Sequence, residues 1–149
     1  MKTSLPIFFL GLFLFACTSK TKIELAPYEI SDEIGNVGLK VDENGEIRIG
    51  GNFIATISEE GVLIDKDGKI LSTCSDEGKL LDDKGQTLVI IDEEGKMHNG
   101  SNVFMYWSEE GKLFKDNFDT GLRINPVNPK VYQSASIVLY LYMNMSHKY

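Results

Sequence analysis

Apolar positions between residues 40 and 114 keep a fixed distance from a series of glycines. Gly45, Gly61, Gly78, Gly95 and Gly111 close the polar stretches DENG, SEEG, SDEG, DEEG and SEEG, at spacings of 16, 17, 17 and 16 residues. Two residues after each glycine stand Ile47, Leu63, Leu80, Met97 and Leu113. Four before each stand Val41, Ile57, Cys74, Ile91 and Trp107, and seven before all but the first stand Ile54, Leu71, Leu88 and Phe104. A second turn signal falls inside each unit: IGGN at 49–52, DKDG at 65–68, DDKG at 82–85 and HNGS at 98–101. Short β-branched and aromatic runs separated by acidic–glycine corners are the grammar of successive hairpins.

This pattern predicts a mainly β fold: an antiparallel meander of about ten short strands from near Leu39 to Phe114, twisted and curled. Its unit is roughly 17 residues, two strands long. A parallel solenoid with one coil per unit is the alternative. In a solenoid the Glu-Glu corners would stack about 4.8 Å apart, at roughly 0.9 kcal/mol per like-charge contact even in water. Equivalent turns of a meander lie two strands apart, about 9.6 Å, near the Debye length, so repulsion favours the meander. The −4 and −7 columns have opposite parity. Either the longer strand lies between two layers or it carries a bulge near the acidic turn, and the type I turn with a left-handed glycine favours the bulge.

The flanks are less regular. Tyr28 to Val37 reads as an irregular first turn, and KDNFDTGLRINPVNP, 115–129, as a crossing loop. Beyond it, Asn128-Pro129 is a helix start, with Asn as N-cap and Pro in the first turn. Val131, Ala135, Val138, Leu139 and Tyr142 keep helical spacing. Ile, Val and Tyr also suit a strand, but a single C-terminal helix over about 129–145, packed on the sheet, accounts better for the spacing. It is apolar on both sides and is the only long apolar segment left to cover a face of the meander.

The first residues carry a different signal. Lys2 precedes an apolar run from Leu5 to Ala16, about 18 Å as a helix and short of the roughly 20 residues a membrane span needs. That is the layout of a secretory leader. It ends Leu14-Phe15-Ala16-Cys17, which resembles the lipobox of bacterial lipoproteins, with Leu14 at −3 and a small Ala16 at −1; Phe15 stands where −2 is usually small or polar. The resemblance implies a signal peptide, residues 1–16, cleaved before Cys17, whose thiol takes a diacylglycerol by a thioether and whose new amino group is acylated, tying the chain to the membrane. It concerns processing and not fold. Thr18 and Ser19 follow, with no Asp to resemble an inner-membrane retention signal, so the outer membrane is the expected home in a cell that has two. Residues 17–27 then read as a lipidated tether, and 28–149 as the β-repeat domain.

Charge narrows the partners. The chain carries a formal charge of −7, and loss of Lys2 with the leader leaves 22 acids against 14 bases, or −8. Nucleic acid and anionic headgroups need neutralising Lys and Arg, so neither is an expected partner. With Cys17 acylated, Cys74 has no disulfide partner within the chain.

Candidate chemistry is sparse. DKDG and DDKG look like fragments of calcium loops, but Asp and Gly are also what tight turns require, and no full loop pattern follows. His98 and His147 read as exposed and Cys74 as a small core residue. No nucleophile set or phosphate loop stands out, and no cofactor is expected. The aromatic strand VFMYW offers Phe104, Tyr106 and Trp107 as a candidate interaction surface. The sequence thus points to a non-catalytic envelope lipoprotein that displays a β-repeat scaffold to another envelope protein, its exposed edge strands offering backbone pairing. The alternative is a binder of a small ligand, either a divalent cation or a glycan.

Overall fold

A computed structural model describes residues 22–145 of the chain. Twelve strands run antiparallel in sequence order and close into one barrel, and a single helix follows them. The ten expected strands run from β2 (Val37–Val41) through β3 (Glu46–Ile49), β4 (Asn52–Ile57), β5 (Val62–Asp65), β6 (Ile70–Cys74), β7 (Lys79–Leu81), β8 (Thr87–Ile91), β9 (Met97–Asn99) and β10 (Asn102–Trp107) to β11 (Lys112–Lys115). The expected first turn is instead β1 (Tyr28–Ser31), and the expected crossing loop contains β12 (Phe118–Asn125). These two pair with each other through Glu29–Asn125, Ile30–Ile124 and Ser31–Arg123. Their pairing closes the barrel and leaves no sheet edge, which rules out edge strands as the general means of recognition.

The repeat becomes a cross-strand ladder. Each −4 residue lies opposite a +2 residue: Val41–Ile47, Ile57–Leu63, Cys74–Leu80, Ile91–Met97 and Trp107–Leu113. All ten are buried and point into the lumen. One step further along, Leu39, Ala55, Ser72, Val89 and Met105 form another buried row. The strands after each second turn slip by one residue at the −7 position, between Ile47/Arg48, Leu63/Ile64, Leu80/Leu81 and Val103/Met105. These bulges let Ile54, Leu71 and Phe104 pack against the core despite their parity.

The C-terminal helix lies inside the barrel and does not cap one face of a sheet. Asn128 accepts the Lys130 N–H, Pro129 opens a 3-10 turn over Pro129–Val131, and α1 follows at Tyr132–Met145. Val131, Ala135, Ile137, Val138 and Leu139 are buried on every side of the helix. Twelve strands about 4.8 Å apart give a circumference of about 58 Å and a backbone diameter of at least about 18 Å. That ring holds one helix of about 10 Å diameter with its side chains interlocked, which is why the segment had to be apolar all round.

The two ends of the barrel differ. The five acidic turns, the start of β1 and the end of β12 share one end, where α1 enters. There the turn glycines are crowded. A Cβ on Gly61 would lie 2.8 Å from Cys74 Cβ and from Ile23 Cδ1; on Gly95 it would lie 2.4 Å from the Tyr132 carbonyl oxygen; on Gly111, 2.9 Å from Val127 Cγ2. At the opposite end Gly35, Gly50, Gly51, Gly68, Gly85 and Gly100 have nothing within 4 Å. The acidic-turn end is closed by packing, and the other end is open.

Candidate functional site

The aromatic strand divides between inside and outside. Trp107 does not belong to an interaction surface: its position four before Gly111 turns the indole inward, where it is 6% exposed. Its Nε1–H donates to Ser136 Oγ at 3.0 Å, and its ring stacks on Tyr132 with centroids 5.9 Å apart. Tyr106 faces outward and stacks on Phe114 at 5.4 Å, while Phe104 packs against the edge of the core. Cys17 and His147 lie outside the described residues, as does the leader. The segment read as a tether joins the domain before residue 27. Ile23 is buried, its N–H donates to Glu59 C=O at 2.7 Å, and Lys22 pairs with the Glu59 carboxylate at 2.5 Å.

The turn aspartates at both ends spend one carboxylate oxygen on their own backbone. Asp65 Oδ1 accepts the N–H groups of Asp67 and Lys69, both at 2.9 Å, and Asp82 Oδ1 those of Lys84 at 2.9 Å and Gln86 at 2.8 Å. Asp42 and Asp92 do the same. Glu77, Glu94 and Glu110 each pair with the lysine two residues on. Those of Glu77 and Glu110 are held below the usual carboxylate range, first by that hydrogen bond and then by the ammonium charge. Among the described residues no three His, Cys, Asp or Glu side chains converge on a point where a metal ion could sit. His98 is not freely exposed, since its Nε2 lies 2.8 Å from Asp92 Oδ2.

The open end carries most of the exposed apolar side chains. Ile34 and Phe118 are 85% and 78% exposed, and Val37, Phe53, Ile70, Leu88 and Val103 begin their strands there. Between the β5–β6 tip and the β7–β8 tip lies a groove of about 440 Å³. Its floor is Leu71, Leu88 and Leu141, and its walls carry Lys69, Asp83 and Lys84. Lys69 Nζ reaches Asp83 Oδ2 only at 3.8 Å. Tyr140, on the last turns of α1, donates its hydroxyl to the Leu88 carbonyl at 3.2 Å, and Asn144 donates to the Tyr140 carbonyl at 2.7 Å. The sequence offered no sign of this groove, because DKDG and DDKG read as turns or as fragments of calcium loops and Tyr140 as one face of a helix. Only the placement of that helix in the lumen brings Tyr140 to Leu88.

No family model, no curated protein and no solved structure matches the chain. No helix among the described residues is long and apolar enough to cross a membrane.

Proposed function

We propose that the chain is a lipid-anchored envelope protein whose helix-filled barrel acts as a rigid, non-catalytic display scaffold for a protein partner. The observation that carries this reading is the opposition of the two ends. The chain enters the domain at Ile23, on the closed end, and the exposed apolar residues gather at the other. The anchor itself rests on the Leu14-Phe15-Ala16-Cys17 pattern. The six residue steps from Cys17 to Ile23 span at most about 20 Å when fully extended. An acylated Cys17 would therefore keep the closed end near the bilayer and turn the open end away from it.

Glu59, Glu60, Asp76, Glu77, Glu93, Glu94, Glu109 and Glu110 ring the closed end, so anionic headgroups would push that end off the surface as far as the tether allows. The lumen is occupied by α1, so recognition belongs to the outer surface and the open rim. A cation-binding role has weaker support, because the turn aspartates already serve their own backbone N–H groups. Metabolic labelling with a fatty-acid analogue tests the anchor: label should enter the natural chain and be lost in Cys17→Ala. Full incorporation into that variant would refute it.

A further inference from the structure

Three of the five hairpins make one backbone hydrogen bond at the open end, and two neighbouring hairpins leave it unmade. Residues five after and seven before each turn glycine face each other there. The Gly50 N–H donates to Gly38 C=O at 3.3 Å, Lys66 to Ile54 at 3.2 Å and Asp116 to Phe104 at 2.8 Å. In the Gly95 hairpin the Leu88 carbonyl takes the Tyr140 hydroxyl in place of a backbone donor. In the Gly78 hairpin the matching groups are Asp83 N–H and Leu71 C=O, and no hydrogen bond joins them. The pairing of β6 with β7 stops at Thr73–Leu81 and Cys74–Leu80, so Ile70 and Ser72 are paired on the β5 side alone and Leu71, the bulge residue between them, is paired on neither. Leu71 and Asp83 both line the open-end groove.

We infer that this groove binds an extended peptide segment of a partner protein, inserted between the tips of β6 and β7. A peptide group supplies both parts that are wanted, an N–H for Leu71 C=O and a C=O for Asp83 N–H. The floor of Leu71, Leu88 and Leu141 receives one aliphatic side chain, and the volume suits a few residues. Lys69 and Lys84 are balanced by Asp82 and Asp83, so the walls favour a backbone of no net charge over a strongly anionic or cationic ligand. A fatty carboxylate would satisfy the floor but has no donor for Leu71. The inference deepens the display reading and rests on it: the parted β6–β7 tip lies at the end turned away from the tether.

The test is a titration of the isotopically labelled chain with the capped tripeptide acetyl-Val-Leu-Val-amide, followed by amide shifts and hydrogen exchange. The Asp83 amide should move and exchange more slowly, together with signals of Leu71, Leu88 and Leu141. Backbone N-methylation of the peptide should weaken binding about tenfold, the equivalent of one hydrogen bond. Asp83→Pro removes the N–H at a turn position that favours proline and should cost a similar factor, whereas Asp83→Ala keeps the N–H and should bind within about threefold of the natural chain. Equal binding of the methylated peptide, or of Asp83→Pro and Asp83→Ala, overturns the inference, as does an unmoved Asp83 amide at millimolar peptide. A shift that follows protein concentration without peptide assigns the groove to a second copy. A shift produced only by deleting residues 146–149 assigns it to the chain's own end. Either result also overturns the inference. The titration needs no membrane, so its failure is separable from failure of the acylation label.

Discussion

Ser136 Oγ stands between Trp107 and Gly95. It accepts the indole Nε1–H at 3.0 Å and donates to the Gly95 carbonyl at 2.5 Å. All three residues are buried, so this one hydroxyl ties the central helix to an acidic turn and to the aromatic strand at once. Ser136→Ala should leave a buried donor and a buried acceptor without partners and lower stability by about 1–3 kcal/mol. Urea unfolding followed by fluorescence measures this directly, because Trp107 is the one tryptophan of the chain. An unchanged midpoint would show that the relay contributes nothing.

Gly95 and Gly100 separate two reasons for a turn glycine. Both have positive φ, 76° and 61°, but only Gly95 is crowded, with its would-be Cβ 2.4 Å from the Tyr132 carbonyl oxygen. Gly100→Ala should cost only the left-handed strain, about 1–2 kcal/mol. Gly95→Ala must also push α1 away from the turn and should be clearly worse, with loss of the Trp107–Ser136 bond. Equal melting temperatures for the two variants would contradict the close approach.

Ser72 is fully buried, and its hydroxyl has no hydrogen-bond partner. It occupies the inward row otherwise filled by Leu39, Ala55, Val89 and Met105. Ser72→Ala removes an unsatisfied group and should be neutral or stabilise by up to about 1 kcal/mol. A fall in melting temperature would mean that the hydroxyl is satisfied in solution.

The pH profile should have two limbs. Glu77, Glu110 and Asp119 are held below their ordinary values of 4.5, 4.5 and 3.8, each first by a side-chain hydrogen bond, from Lys79, Lys112 and Arg123 respectively. A lowered folded pKa gives stability that is complete above the ordinary value and lost as pH falls through the folded one. Stability should therefore be level above about pH 5 and decline below about pH 4. These pairs are solvent-exposed, so the decline should be shallow and should flatten in high salt.

On the alkaline side, burial pushes the Tyr28 phenol above its ordinary 10.0, with a weaker opposing hydrogen bond from Ser134. The unfolded chain then loses that proton first, so stability falls as pH rises past about 10. Tyr28→Phe should shift the alkaline unfolding midpoint upward, as read by Trp107 emission. No shift would place the alkaline limb elsewhere.

Local chemistry made most strands legible. The Asp or Ser that opens each acidic turn accepts the N–H four residues on, Asp42, Asp92 and Ser108 also accept the one two residues on, and glycine takes the left-handed corner, so the five hairpins needed no distant information. The register of their apolar columns followed, since Ile57 and Leu63 sit at fixed offsets from one glycine and must meet across it. Position −7 was harder. Its parity conflict was visible, and so was the remedy of a bulge, but the bulges fall beside the second turns.

The groove was not legible. Its decisive atoms are the Leu71 carbonyl and the Asp83 N–H, and backbone groups leave no mark in composition. Trp107 illustrates the opposite difficulty: an aromatic strand suggested a surface, and the inward column placed its largest ring in the core.

The sequence by itself determined the repeat, the turns, the C-terminal helix with its Asn128 cap, and the inward rows, because each depends on residues within one hairpin or one helical turn. Tertiary structure alone decided that β1 and β12 meet, that the helix fills the lumen instead of covering a face, and that the β6–β7 and β8–β9 hairpins stay parted at their tips. Those outcomes depend on residues up to about a hundred positions apart, and on twelve strands together enclosing a space the width of one helix. No single stretch of chain carries that information, because closure is a property of the whole ring.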